Sequence, residues 1–177
     1  MADIVDKNPK TLVLVGSYTI GKERVFIKLA EHFGWKICVS KAKADIIKCC
    51  DFPAFEQFTT NLEESQLHVV PIGSLSWPKL LAYLENHPRY TAIVGIRPTG
   101  WTFEEGAKDE FAGPQPRAGK VTSLAVPYSE HSSFIELRDF VKATRPVMIV
   151  STVGASKQLR DDMNKHFAEW LGFSSPH

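Results

Sequence analysis

The chain has 177 residues, of which 44% are hydrophobic and 23% charged, and its 21 basic and 20 acidic residues leave a net charge of +1. This composition is typical of a soluble globular protein and excludes a disordered chain, a collagen-like or coiled-coil rod and a small disulfide-rich domain. No apolar run approaches the roughly 18 residues that cross a bilayer, so we expect no membrane partner. Three cysteines without a CxxC pair favour reduced thiols, and the nearly neutral charge does not by itself indicate a nucleic-acid partner.

The first half of the sequence alternates between short apolar runs typical of strands and amphipathic segments typical of helices. The pattern predicts strands over residues 11–15, 35–39 and 67–70. It predicts helices over residues 22–33, after Ser40 and after Ser76, because serine is a favourable residue at a helix N-cap. Residues 51–65 contain a proline and three aromatic residues, and no element is predicted there.

The second half continues the alternation. Strands are predicted over residues 90–96, 121–126 and 147–150, with a turn at 97–100 after the first of them. Helices are predicted over residues 132–143 and 157–171, and the charged, Gly- and Pro-rich segment 104–119 is predicted to be a flexible loop or a domain boundary. The fold class is therefore α/β, with a largely parallel sheet covered by helices on both faces. Ligands of such folds bind beyond the carboxyl ends of the strands, which directs attention to three loops.

The first loop, Gly-Ser-Tyr-Thr-Ile-Gly-Lys-Glu at residues 16–23, has the GxxxxGK spacing of a phosphate-binding P-loop between a strand and a helix. Backbone N–H groups, the helix N-terminus and Lys22 would all favour an anion. However, a P-loop needs Ser or Thr after the lysine to hold Mg²⁺, and this chain has Glu23. The alternative is a glycine-rich turn without a ligand.

The second loop, Arg-Pro-Thr-Gly-Trp at residues 97–101, follows a predicted strand. Arg97 could pair with a phosphate through its planar guanidinium, and Trp101 could stack on a base. The alternative is a proline-glycine turn whose tryptophan packs into the core.

The third loop, Pro-Tyr-Ser-Glu-His-Ser-Ser at residues 127–133, places many polar groups where a strand meets a helix. His131 could be a metal ligand, a general acid or a phosphate contact. The alternative is helix capping, in which Ser133 and Glu136 form a capping box. Both roles are compatible, because a capped helix N-terminus is itself favourable for anions.

Taken in order and at this spacing, the three loops resemble the C-terminal part of the DNA cross-link repair nucleases, the β-CASP branch of the metallo-β-lactamase superfamily that includes Artemis and Apollo. The resemblance extends from about Thr11 to Trp170. It implies a leader at residues 1–10, a β-CASP domain at 11–115 and, at 119–177, the C-terminal part of a metallo-β-lactamase αββα fold. It also implies a zinc-dependent 5′→3′ DNA exonuclease of the nucleus, which acts on 5′-phosphorylated ends.

The resemblance assigns roles to individual residues. His131 matches the histidine that faces the metal centre, and Ser129, Ser132 and Ser133 would support it. Lys22, Arg97, Thr99, Trp101 and Tyr128 would contact the DNA or its phosphates. Val153 stands where RNA-processing relatives carry a histidine, which favours DNA as the substrate, and Ser151 replaces the usual proline.

One part of the family pattern is absent from the sequence. The superfamily binds its metals through an HxHxDH loop that precedes the β-CASP insert, and these 177 residues contain no such motif. We therefore expect a C-terminal segment that binds no zinc tightly and is inactive alone, with the N-terminal metallo-β-lactamase half and 5′-phosphorylated DNA as partners. Two alternatives stay open: a non-catalytic relative that binds DNA or protein, and a P-loop-like nucleotide binder.

Overall fold

The computed structural model describes residues 2–50, 55–99, 120–152 and 156–172 of the chain. These residues form two compact units, which divide between Glu130 and His131. No described helix is long and apolar enough to cross a membrane. The elements of the first unit are α1 Ala2–Lys7, β1 Thr11–Ser17, α2 Glu23–Phe33, β2 Ile37–Cys38, α3 Lys41–Cys49, β3 Phe58–Thr59, β4 Leu67–Pro71, α4 Trp77–Glu85, β5 Ala92–Thr99 and β6 Val121–Pro127.

The first unit is built on a six-stranded sheet in the order β3-β2-β4-β1-β5-β6. Every neighbouring pair of strands runs parallel, so the predicted parallel α/β fold is confirmed. All seven residues of the central strand β1 are buried, because helices cover both faces of a parallel sheet. The alternating side chains of β1 therefore supply two separate hydrophobic cores.

The first face of the sheet is covered by the helices that follow β1 and β2. Val13 and Val15 of β1 pack against Phe26 of α2 and Ile47 of α3 in one buried cluster. The predicted C-terminus of α2 and the predicted N-terminus of α3 are confirmed. Gly34 takes the left-handed conformation at the C-cap of α2, at φ 67°, and the Ser40 hydroxyl accepts a hydrogen bond from the Lys43 backbone N–H at the start of α3.

The second face is covered by α4, which follows β4. Leu12 and Leu14 of β1 pack there with Leu80 of α4 and Ile93 of β5. Gly95 of β5 lies directly under this helix, since a Cβ atom at that position would come within 2.8 Å of Leu80 Cδ1. The connections after β1 and β4 thus leave the sheet on opposite faces, although the two strands are neighbours.

The structure corrects two predictions in the first unit. The turn expected at residues 97–100 is wrong for its first three residues, because Arg97 to Thr99 extend β5 and pair with Ala125 to Pro127 of β6. Pro98 is tolerated there because β1 pairs with β5 only as far as Ile96, so beyond that point β6 is the one neighbour of β5 among the described strands. In the segment for which no element was predicted, β3 forms a two-residue strand beside β2.

The second unit contains α5 Phe134–Thr144 and α6 Lys157–Leu171, and both predicted helices are confirmed. Trp170 is buried in this unit, and its ring lies 5.0 Å from that of Phe134 in an edge-to-face arrangement. The strand predicted at 147–150 is wrong. No described strand pairs with this segment, and the side chains of Val147, Met148 and Val150 are exposed.

The two compact units divide after Glu130, and β6, which is hydrogen-bonded to β5, belongs to the first unit. The family domains predicted from the resemblance, at residues 11–115 and 119–177, are a separate division. Residues 100–119, which include the predicted loop, lie outside the described residues. The assignment of the two parts to a β-CASP domain and a metallo-β-lactamase segment stays a prediction.

Candidate functional site

The first and third loops of the sequence come together at the carboxyl edge of the sheet. The β1–α2 loop ends at Lys22, and residues 128–130 follow the edge strand β6. The Tyr128 backbone N–H donates a hydrogen bond to the Thr99 carbonyl at 3.0 Å, which joins the end of β5 to the third loop. The site therefore contains residues from all three sequence motifs.

Glu130 anchors the third loop on the start of α2. The backbone N–H of Lys22 donates to Glu130 Oε1 at 2.9 Å. Gly21 beside it has φ 108°, and a Cβ atom there would lie 2.5 Å from Glu130 Oε2. Glycine is therefore favoured at position 21, because other residues rarely adopt this backbone conformation.

The side chain of Lys22 points back into the protein. Lys22 is only 6% exposed, its ammonium donates to the Tyr128 carbonyl at 3.2 Å, and it lies 5.3 Å from the centre of the Tyr128 ring. The Tyr128 hydroxyl donates to Glu130 Oε1 at 3.2 Å. Burial, followed by the nearby Glu130 carboxylate, raises the pKa of Tyr128.

A buried ion pair between Glu23 and Lys43 holds the β1–α2 loop in shape. Their side chains are 9% and 11% exposed, and Lys43 Nζ lies 2.9 Å from Glu23 Oε1. The same carboxylate oxygen accepts the Gly21 N–H at 3.0 Å. Lys43 Nζ also donates to Ser17 Oγ and to the carbonyls of Tyr18 and Thr19, at 3.0 to 3.2 Å.

This geometry contradicts the P-loop interpretation. The backbone donors at Gly21 and Lys22, which would cradle a phosphate, already bind the carboxylates of Glu23 and Glu130. A phosphate at the same place would meet two negative charges. The alternative of a glycine-rich turn fits the structure. Lys43 was missed by the sequence analysis because it comes from α3, and no motif spacing connects it to the loop.

The remaining DNA-contact candidates are only partly placed. Arg97 and Thr99 are half-buried at the end of β5, whereas Trp101 lies outside the described residues. Roles for Lys22, Arg97, Thr99, Trp101 and Tyr128 in DNA binding stay predictions.

His131 and its serine neighbours surround the start of α5. Ser129, His131, Ser132 and Ser133 are all exposed. The predicted capping box is confirmed, since the Ser133 hydroxyl accepts the Glu136 N–H at 3.2 Å and the Ser133 N–H donates to Glu136 Oε2 at 2.7 Å. The hydrogen bond from the Ser133 N–H to its carboxylate lowers the pKa of Glu136. The support of His131 by Ser129, Ser132 and Ser133 stays a prediction.

The described residues do not by themselves form a metal site. They contain no group of three or more His, Cys, Asp or Glu side chains placed to hold an ion, whereas protein zinc sites use three or four such ligands. His131 could supply one ligand of a larger set. Val153 lies outside the described residues, and the Ser151 hydroxyl lies 3.6 Å from Met163 Sδ in the second unit.

Comparison with known proteins identifies the family. The family model for the DNA repair metallo-beta-lactamase matches residues 54–157. DNA cross-link repair protein SNM1 of Arabidopsis thaliana is 40% identical over 174 residues, which cover 96% of this chain and 36% of the relative. DNA cross-link repair 1A protein of Gallus gallus is 34% identical over 99% of this chain and 18% of its own length.

A third relative is named for its activity. The 5' exonuclease Apollo of Gallus gallus is 30% identical over 155 residues, which cover 86% of this chain and 29% of that protein. The chain thus spans between about a fifth and about a third of the length of these relatives. Because the family model covers more than half of the 177 residues, the chain belongs to the DNA repair metallo-beta-lactamase family.

Proposed function

We propose that this chain is the C-terminal segment of a metal-dependent 5′→3′ DNA exonuclease of interstrand cross-link repair and DNA end processing, which acts on 5′-phosphorylated ends in the nucleus. The observation that carries the proposal is similarity along almost the whole chain to proteins named for cross-link repair, together with a relative named as a 5′ exonuclease. The family match over residues 54–157 supports the same activity.

The metal ligands of this enzyme are proposed to come from a segment that the 177 residues do not contain. The sequence has no HxHxDH motif, and the described residues form no ligand cluster of their own. The metal, which we propose to be zinc, would activate water for attack on the phosphodiester. His131 would act beside the scissile phosphate, as a ligand or as a proton donor.

Exposed apolar side chains of the second unit support the need for a further domain. Phe134, Ile135 and Phe140 of α5 are 56%, 58% and 65% exposed, and the apolar segment 147–150 has no partner strand among the described residues. We propose that these exposed apolar side chains belong to an interaction site. Its proposed partner is the N-terminal metallo-β-lactamase half.

The proposal is tested by a nuclease assay on a single strand with a 5′-phosphate and a fluorescent 3′ end. We expect no cleavage by residues 1–177 with added Zn²⁺ or Mg²⁺. A version extended upstream by a segment with an HxHxDH motif is expected to shorten the strand from its 5′ end. His131→Ala in the extended protein should abolish cleavage, whereas Phe33→Leu, which alters an apolar residue of α2, should not.

Three results would contradict parts of the proposal. Cleavage by the 177-residue chain that depends on His131 would mean that its metal site is complete. An extended protein that loads metal and binds the strand without cutting it would favour the alternative, a non-catalytic relative that binds DNA or protein. A fluorescent fusion that is excluded from the nucleus would contradict the proposed location.

A further inference from the structure

A crevice of about 420 Å³ opens at the carboxyl edge of the sheet, between the ends of β1 and β4. The helix after β1 packs on the first face of the sheet and the helix after β4 on the second, so the two connections diverge at this point. In open α/β sheets such a topological switch point is where ligands bind. The crevice also lies in the volume range of small-ligand sites, about 300 to 1,000 Å³.

The walls of the crevice are mostly apolar. Val69, Ile46 and Ile72 contribute hydrophobic surface, and Ser17 and Thr19 contribute hydroxyl groups. Tyr18 belongs to the lining and is 57% exposed, so its side chain is accessible to a ligand. An apolar slot beside an exposed aromatic ring suits a flat ring that stacks, and the bases of a single strand stack on aromatic side chains in this way.

The charges in the lining argue against a phosphate as the occupant. Lys43 is the charged residue among the described residues of the lining, and its ammonium is paired with Glu23 and bonded to Ser17 Oγ and two carbonyls. A phosphate would have to compete with the buried Glu23 carboxylate for this cation. A neutral planar group would not compete with Glu23 for Lys43.

We propose that this crevice holds one unpaired base of a DNA strand, stacked on the ring of Tyr18. The inference rests on the proposed function, which supplies DNA as the partner. The proposed contact lies beside β4, on one side of β1. The DNA contacts predicted at Arg97, Thr99 and Tyr128 lie at β5 and β6, on the other side of β1. The crevice would bind any of the four bases, because every base has a face that can stack.

The test compares two single strands that share a sugar-phosphate backbone. One is a ten-nucleotide oligothymidylate and the other has abasic sites throughout, and binding to the 177-residue chain is followed by fluorescence anisotropy. We expect the oligothymidylate to bind more tightly and Tyr18→Ala to weaken its binding about 5- to 150-fold. Tyr18→Phe keeps the ring and should bind like the wild type.

Two further variants separate the crevice from general effects on the chain. Gly73 belongs to the lining, and a Cβ atom there would meet no atom within 4 Å, so Gly73→Leu should fill space without disturbing the fold and should weaken binding. Leu81→Ala shortens an apolar side chain of α4 that is 37% exposed and outside the lining, and it should leave binding unchanged.

Equal affinity of wild type and Tyr18→Ala for the oligothymidylate would overturn the inference, as would equal affinity for the abasic strand. Failure of the chain to bind the oligothymidylate at about 1 mM would also overturn it. None of these results bears on the nuclease assay of the extended protein. The crevice and the proposed function can therefore fail separately.

Discussion

Loss of one member of the buried ion pair between Lys43 and Glu23 is expected to destabilise the carboxyl edge of the sheet. Lys43→Met removes the ammonium and keeps a side chain of similar length. It leaves the Glu23 carboxylate, whose side chain is 9% exposed, without Lys43 as its cation; among the described residues, the Gly21 N–H still donates to it. A carboxylate buried in this way is costly, because the lost attraction no longer offsets its desolvation.

The expected size of the effect follows from this burial. Removal of one partner from a buried pair costs about 3–5 kcal/mol. We expect about 3 kcal/mol, the lower end, because Glu23 keeps the Gly21 N–H bond and because Tyr18 and Thr19 are exposed, so their carbonyls can bind water instead of Lys43. Glu23→Gln combined with Lys43→Met should recover much of this loss, since no charge then remains buried.

The measurement is amide hydrogen exchange of β1, the central strand of the sheet, which reports the free energy of unfolding of the first unit. Lys28→Met is the matched control, because Lys28 is an exposed lysine of α2, and it should change stability by less than about 0.5 kcal/mol. A Lys43→Met cost below about 1 kcal/mol, or a double variant whose cost equals the sum of the singles, would refute the reasoning.

Three further predictions concern the sheet, the second unit and the response to pH. Gly95→Ala should destabilise the chain by about 1–3 kcal/mol in urea unfolding, because the new methyl group would contact fully buried Leu80, whereas Gly73→Ala should be nearly neutral. Ser133→Ala should cost about 1 kcal/mol and speed amide exchange in the first turn of α5, and Ser133→Asp should preserve the cap. His68 is buried, which lowers its pKa from 6.5 to about 4. Between pH 6.5 and 4, His68 is protonated in the unfolded chain and neutral in the folded chain. The free energy of unfolding should therefore fall by about 3 kcal/mol as the pH drops from 6.5 to 4. His68→Asn should flatten this pH dependence, and an unchanged slope would contradict the assignment to His68.

Elements with strong local signals were predictable from the sequence. The strand β1 is an apolar β-branched run, α2 ends at Gly34, α3 begins after Ser40 and α5 begins after Ser133, and each signal acts within a few residues. These features depend on backbone conformation and local hydrogen bonds, which the neighbouring residues determine. Their positions in the structure therefore agree with the sequence pattern.

Elements that depend on distant partners were not predictable. The strand β3 is only two residues long and exists through its pairing with β2, and β5 continues through Pro98 because β6 lies beside it. The segment 147–150 has the composition of a strand, but no described strand pairs with it. Apolar composition indicates that a segment prefers to be buried. It does not indicate which distant residues pack against that segment or pair with it.

The β1–α2 loop has the backbone donors of an anion-binding site, but carboxylates of the protein itself occupy them. Its glycines and the start of α2 still present backbone N–H groups to a negative charge, as the spacing predicted. Glu23 and Glu130 now supply that charge from within the protein, and Lys43 balances it. The loop therefore connects the end of β1 with Lys43 of α3 and with Glu130. The DNA proposed for this family member would meet side chains that this loop presents, such as Tyr18, and not the cradle itself.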